Sequence, residues 1–542
     1  MNRIASGTTL AFVLIFMLTL GFDVQPGEAS GTIYIRADGS VDPLTAPIST
    51  VDNVTYTLIG NIPSDTDGIV VEKSNIAIDG AGYTIQGVEA QYSKGISLSG
   101  ITNVTVRNTN IKNFDYGFYL YSSSNNTMSG NNITNNDRGI WLDFSSNNTV
   151  SGNNITANND QSIWLYDSSN NNTVYGNHIT NNYGGIKLDF SSNNTISGNN
   201  ITNNHRFGFY LYSSSNNTVS GNMFVDDGLR LRYSYGNVVE DNTVNGKPLV
   251  YLEGVQNYRV DDAGQVILVN CNNITVENLN LSNTDTGVQL SDADNCSIAG
   301  NNITDNDDGI RLYYSSNNTI SGNNITANNY YDGIRLYYSS NNTISGNNIT
   351  NNRHVGIALL YSSSDNTISG NNITNNYDFG IGIHDSSNNN TVYGNNIANN
   401  DCGILLYDSS NNIVYHNNFV DNTVQAQVTG GYVNAWDNGY EGNYWSDYTG
   451  ADGDGDGIGD SSYIIDENNM DYYPLMNPYW NPADINKDLE IDIYDVVLIC
   501  NAYDSTPSDI NWNCHCDIDG DGDIDIYDIV TMCNHYGESW QP

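Results

Sequence analysis

The sequence predicts an all-β chain wound into a parallel β-helix solenoid with rungs of 22–24 residues, followed by a small α-helical domain carrying two acidic loops. Three observations lead there. The phrase Gly-Asn-Asn-Ile-Thr recurs, with minor changes, from Gly130 to Gly394. The apolar residues of successive repeats fall into columns. Residues 481–542 contain a duplicated run of alternating oxygen-bearing side chains.

Each repeat reads as three short strands, such as Asn148–Val150, Asn154–Thr156 and Ile163–Leu165, separated by Ser, Asn and Gly turns too short for a helix. One such unit cannot bury its own apolar face, but stacked units can. Alignment puts Val150, Val174, Ile196 and Val219 in one column and Ile155, Ile179, Ile201 and Phe224 in a second. Ile140, Ile163, Ile186 and Phe209 form a third, beside Leu142, Leu165, Leu188 and Leu211. A leucine-rich repeat has a similar period but needs leucines at fixed offsets and a helical side, and neither is present. The coil is expected over residues 69–424 as one rod on the order of 75 Å long. Its open ends need covers, which assigns residues 30–68 and 425–480 to caps, the latter with an acidic loop.

Composition excludes one class of function. With 61 Asp+Glu against 17 Lys+Arg, the net charge of −44 rules out a nucleic-acid binder that works by neutralising phosphates. Residues 1–29 read as a signal peptide: Arg3, an apolar run Leu10–Leu20, and Gly27-Glu28-Ala29 before Ser30. The run is short of the ~20 residues that span a bilayer, and no later segment is apolar enough to do so. An exported chain, extracellular or attached to the cell surface, is expected. Of the seven cysteines, Cys271, Cys296 and Cys402 are expected to be buried, and Cys500 and Cys533 could join two helices if geometry permits.

On these repeats, and on the phrases Asn245-Gly246-Lys247-Pro248-Leu249-Val250-Tyr251 and Gly442-Asn443-Tyr444-Trp445-Ser446-Asp447-Tyr448, the chain resembles right-handed β-helix proteins of the pectin-lyase-like superfamily. It is most similar to archaeal surface proteins with NosD-like repeats. The resemblance implies the fold but not the activity, since this fold hosts lyases, hydrolases, binders and scaffolds. Of the motifs carried by the polygalacturonase-like members, Asn283-Thr284-Asp285 and Asp307-Asp308 are present, while Gly-His-Gly and Arg-Ile-Lys are absent. No catalytic motif is complete. Seven His and seven Met are scattered, without the soft-ligand cluster that copper would need.

The paired asparagines support two readings, stacked turn amides bonding to one another and acceptors for glycosylation, as at Asn147-Asn148-Thr149 and Asn154-Ile155-Thr156. Outward columns on the third strand are where function is expected. One reads Tyr119, Trp141, Trp164, Lys187, Tyr210; the next reads Tyr121, Asp143, Tyr166, Asp189, Tyr212. Aromatic rings one rung apart suit a sugar chain, and they are also good strand formers. For hydrolysis, Asp143 and Asp189 are the candidate carboxylate pair. Further along, Arg311 and Arg335, beside Asp308 and Asp332, read either as an acidic-sugar or lyase site or as a structural ion-pair ladder.

The C-terminal loops have calcium spacing. Asp484, Asn486, Asp488, Glu490, Asp492 and Asp495 form the first, and Asp517, Asp519, Asp521, Asp523, Asp525 and Asp528 the second, each followed by a helix-like stretch. A duplicated loop and helix with Asp at position 12 resembles a type I dockerin over residues 481–542. The resemblance implies Ca²⁺, a cohesin-domain partner, and contact through Ile493, Tyr494, Ile526 and Tyr527. A third run, Asp452, Asp454, Asp456 and Asp460, fits either another calcium loop or an acidic linker. The functional expectation is a carbohydrate-binding, dockerin-anchored surface module; a polysaccharide lyase or glycoside hydrolase, and a non-binding rod or adhesin, are the alternatives.

Overall fold

The computed structural model describes residues 31–479, 483–485, 491–513, 516–518 and 522–536. The signal-peptide reading and the ligands Asn486, Asp488, Glu490, Asp519 and Asp521 lie outside the described residues. The rest is a parallel β-solenoid of about 18 turns followed by two short helices. The inward columns close as the repeat requires: Val150 pairs with Val174, Ile155 with Ile179 and Ile163 with Ile186, all fully buried.

Two findings change the single-rod picture. The coil starts early, since Ile33–Ile35 pairs in parallel with Ile69–Val71, so the segment assigned to a cap contains the first rung. The stack is also broken in the middle. Thr243–Val244 pairs antiparallel with Lys247–Glu253 through Asn245 and Gly246, whose φ values of 51° and 80° are those of a tight hairpin turn. The strand direction reverses there, and Lys247–Glu253 opens a second parallel coil by pairing with Gln265–Val269. Each coil has its own apolar core, one ending near Val269 and the other running from Val260 to Trp445. Tyr444–Trp445 pairs with the last rung at Asn418–Phe419, and the Trp445 indole donates to Asp471 Oδ2 at 2.9 Å, closing the second coil.

The asparagine pairs divide their labour. One member of each pair is buried in a ladder, the second in Asn147-Asn148-Thr149 and the first in Gly152-Asn153-Asn154, and its Oδ1 accepts both the backbone N–H and the Nδ2–H of the asparagine one rung earlier. Asn153, Asn177, Asn199, Asn222 and Asn242 run in this way, with N–H···O distances of 2.9–3.0 Å. The Nδ2 of Asn177 also donates to the carbonyls of Val150 and Tyr175. In the Asn-Asn-Thr pairs the first member, such as Asn147 or Asn171, takes the left-handed turn conformation and is exposed.

Where the coils meet, the second caps the first. Leu229–Arg232 is the last strand of its sheet, and its free edge is paired by glutamine side chains: Gln265 Oε1 accepts from Leu229 N–H at 2.9 Å while its Nε2 donates to Leu229 O at 2.8 Å. Gln289 Nε2 donates to Leu231 O at 2.6 Å. Asp285 accepts the backbone N–H groups of Gly208 and Gly228 at 3.1 and 3.2 Å, and Arg230 reaches the carboxylates of Asp308 at 3.4 Å and Asp307 at 3.8 Å. Arg311 meets Asp308 at 3.0 Å, and Arg335 pairs with Asp332.

This placement corrects the expectation that the arginine columns face solvent. Asp308, Arg311 and Asp332 are buried, as is Asp285 of the motif fragment Asn283-Thr284-Asp285, because the first coil lies on them. Their ion pairs lie inside the junction, away from solvent. Burial holds the Asp285 and Asp227 carboxyls well above the ordinary range and pushes Asp307 up to about 8, although Arg230 opposes it. Asp308 stays low, because the guanidiniums of Arg311, Arg335 and Arg230 outweigh its burial.

Two outcomes follow from this geometry. Asn177→Ala strands the Asn153 amide and the Val150 carbonyl and should cost about 3 kcal/mol, whereas Asn171→Ala loses no hydrogen bond and should cost about 1 kcal/mol, through its left-handed backbone alone; urea unfolding checks both. Asp307 holds a proton in the folded chain that it releases on unfolding, so its stabilisation is complete below pH ~4 and lost as pH rises through about 8. Thermal unfolding should therefore fall by about 5 °C between pH 5 and pH 9, and Asp307→Asn should remove at least half of that fall.

Candidate functional site

The six-residue strands of the first coil carry the predicted outward columns, with Tyr116–Tyr121, Arg138–Asp143, Gln161–Tyr166, Gly184–Asp189 and Phe207–Tyr212 in register. Tyr119, Trp141, Trp164, Lys187 and Tyr210 make one column of half-buried side chains. The rings face one another more than they face solvent. Trp141 and Trp164 stack at 5.1 Å and 9°, Tyr116 lies 5.0 Å from Trp141, and Lys187 Nζ sits 4.8 Å from the Trp164 ring. A sugar would therefore meet ring edges along most of the column. The indole N–H groups of Trp141 and Trp164 and Oδ1 of Asp143 and Asp189 have no hydrogen-bond partner among the described residues.

In the neighbouring column Tyr166 separates Asp143 from Asp189. Burial raises the Asp143 carboxyl, with Asp167 adding to the effect and Tyr119 opposing it. Asp189 is held by Lys187 at 2.8 Å. The two are not brought together across a shared space. Tyr212 stands farther along, 6.1 Å from Tyr210.

Beside the aromatic wall lies a groove of about 490 Å³ lined by Glu89, Tyr92, Asp115, Tyr116, Asp137 and Arg138 among others. Arg138 is its centre. Its guanidinium reaches Asp115 at 3.3 Å, Asp137 at 3.4 Å and Asp160 at 3.2 Å, and lies 5.2 Å from the Tyr116 ring and 5.4 Å from Trp141. Burial raises the carboxyls of Asp137 and Asp160; Arg138 opposes this in both, and Asp115 adds to it at Asp137. Sequence reasoning missed this group because its aspartates sit in the turn before the strand and Arg138 is the strand's first residue, ahead of the columns. The signal was an aspartate at the same turn in three consecutive rungs: Phe114-Asp115, Asn136-Asp137 and Asn159-Asp160.

The C-terminal segment has helices at Ile493–Ala502 and Ile526–His535. Asp492 and Asp525 cap them, each in a reciprocal box with Asp495 or Asp528, so the last two acidic positions of each loop hold helix starts. Asp495 and Asp528 are buried, as is Asp484. Asp517 Oδ1 is buried without a hydrogen-bond partner among the described residues, and its Oδ2 accepts from Gly522. Asp523 is exposed. This hard-oxygen donor set fits calcium. Ile493, Tyr494, Ile526 and Tyr527 are exposed in matching places, Tyr494 at 65% and Tyr527 at 66%. Cys500 and Cys533 are free and exposed, so the bridge between helices is not formed, while Cys271, Cys296 and Cys402 are free and buried.

In the third loop, carboxylate oxygens of Asp452, Asp454 and Asp456 lie within 4.8 Å of one another. Asp452 also accepts from Gly455 and Gly457, and Asp460 turns to the Gly453 N–H. Among the described residues no other group of His, Cys, Asp or Glu converges in this way. His354 and His416 are each engaged singly by a carboxylate, of Asp378 and Glu441, so the residues present do not fit copper. No helix of the described residues is long and apolar enough to cross a membrane.

Two family models match. The one described as periplasmic copper-binding protein (NosD) covers residues 48–245 and 184–263, and the right handed beta helix region covers residues 264–424. Their boundary falls in the opening rung of the second coil, after the hairpin at Asn245-Gly246. No curated protein matches the chain. Among solved structures, the periplasmic alginate epimerase AlgG is 14% identical, with a TM-score of 0.26 over 74% of this chain and 84% of its own. DFA-IIIase from Arthrobacter chlorophenolicus A6 in complex with GF2 is 14% identical, with a TM-score of 0.27 over 47% of this chain and 63% of its own. With parallel strands stacked in register through both coils and both models of this class matched across them, the chain is a right-handed β-helix protein.

Proposed function

We propose that this is an exported glycan-binding protein whose first coil carries the binding face and whose C-terminal module docks it, through calcium-loaded loops, onto a cohesin-type partner. The observation that carries the reading is the groove around Arg138, where three carboxylates and a guanidinium border an aromatic wall. Carboxylates and guanidinium bond sugar hydroxyls, and Tyr116, Trp141 and Trp164 supply apolar contact. Placement outside the cytoplasm, extracellular or periplasmic, rests on the signal-like start of the sequence and on the location named by the NosD model. Docking rests on the duplicated loops and the matched exposed pairs Ile493-Tyr494 and Ile526-Tyr527. When bound, calcium would be held by Asp484, Asp495, Asp517 and Asp528 with the remaining loop oxygens, and would fix the loops against the helix starts.

One observation favours a second reading, a glycoside hydrolase or lyase. Asp137 has its carboxyl raised by burial and lies with Asp115 in an open groove, and an upward shift is the direction in which a general acid is tuned.

Incubating the mature chain with neutral and acidic polysaccharides in Ca²⁺ separates the two. Retention without product, weakened at least tenfold by Arg138→Ala or by Trp141→Ala with Trp164→Ala, is expected for the binder. Release of reducing or unsaturated ends that is lost in Asp137→Asn would make it an enzyme, and neither retention nor product would leave an inert rod. Calorimetry on the full chain should show Ca²⁺ uptake that falls by at least half in Asp495→Ala/Asp528→Ala; unchanged uptake would defeat the calcium-loop assignment.

A further inference from the structure

We infer that the exposed asparagines at the left-handed turns of the coils form a line of N-glycosylation sites, and that the second set of sequons in the same rungs is not used. The inference rests on the proposal that the chain is exported. Asn147, Asn171, Asn193, Asn216, Asn317 and Asn341 each begin an Asn-Asn-Thr triplet. Each is exposed at a turn with φ between 56° and 59°. None of the six side chains makes a hydrogen bond to a described residue, so each Nδ2 is free to enter a transferase. They lie in one column, one rung apart within each coil.

The second sequon set is in a different state. Asn154 of Asn-Ile-Thr donates its Nδ2 to Asn132 Oδ1 at 2.7 Å, and Asn302, Asn324, Asn348 and Asn372 continue the pattern in the second coil at 2.8–2.9 Å. These asparagines also open strands in extended backbone, in place of the left-handed turn that holds the first set. In these five residues the nitrogen that would accept the sugar is committed to its neighbour. The two sets share one motif, and the structure separates them by hydrogen bonding and backbone state.

The transfer needs a lipid-diphosphate-linked oligosaccharide as donor. The Asn Nδ2–C1 bond forms as the C1–O bond to the lipid diphosphate breaks; the lipid diphosphate leaves, and Nδ2 gives up one proton to the transferase. Neighbouring acceptors only ~4.8 Å apart leave no room for two branched glycans side by side, so adjacent rungs should not both be occupied on one molecule.

The test is intact-glycopeptide mass spectrometry on the chain recovered from outside the cells that make it, with the intracellular fraction as a second sample. Glycan on the Asn147 column, absent from adjacent rungs of one molecule and absent from Asn154, Asn302, Asn324 and Asn348, is the expected result. Asn147→Gln should remove the glycan at that position without moving it to Asn154. A bare exported chain, or equal occupancy of the Asn154 set, overturns the inference and leaves export standing. A bare chain found only inside the cell overturns both.

Discussion

The fold depends on keeping polar turns dry. A coil of short rungs turns a corner every few residues, and each corner brings backbone N–H and C=O groups inside. Asparagine solves this because one amide both donates and accepts. Oδ1 takes two hydrogens from the rung before, and Nδ2 reaches carbonyls that the sheets do not use. Stacked isoleucines then fill the interior that the amides frame. A half-satisfied ladder would be worse than an apolar corner, so each ladder needs a proper end. Asp227 ends one in the first coil, accepting from Asn204 N–H and Nδ2, and Asp471 ends one in the second, accepting from Asn443.

The same constraint shapes the junction. The last strand of a coil has an unpaired edge, and here Gln265 and Gln289 satisfy it with side-chain amides. That brings the second coil against the first and buries several carboxylates among the arginines. Arg230 and Arg311 sit within reach of Asp308 and hold its carboxyl below the ordinary range, while burial holds the carboxyls of Asp285 and Asp227 well above it. Charges that look functional in a list are the means by which two coils are held together.

The face left open is the one on the first coil. There Arg138 is shared by three carboxylates from consecutive rungs, next to rings that spend much of their area on one another. The stacked indole pair at 5.1 Å gives this wall a fixed shape. The C-terminal module repeats the economy of the coil on a smaller scale: Asp492 and Asp525 each cap a helix inside a loop spaced for a cation.

The sequence by itself determined the rung. Periodicity gave the strands, the inward columns Val150 to Val219 and Ile155 to Phe224, and the acidic loops, because each is local or repeats at a fixed spacing. It also supplied the tryptophan column, since register follows directly from the repeat. The hairpin at Asn245-Gly246 was readable as a turn signal, but nothing nearby says that the chain starts a new coil there. Only the tertiary structure decided that Arg311 and Asp308 are covered while Arg138 is open, because that depends on where one coil's end meets the other's face. It also decided which asparagine of each pair is buried. Both members fit a turn equally well until stacking gives one a partner above and below and leaves the other in water.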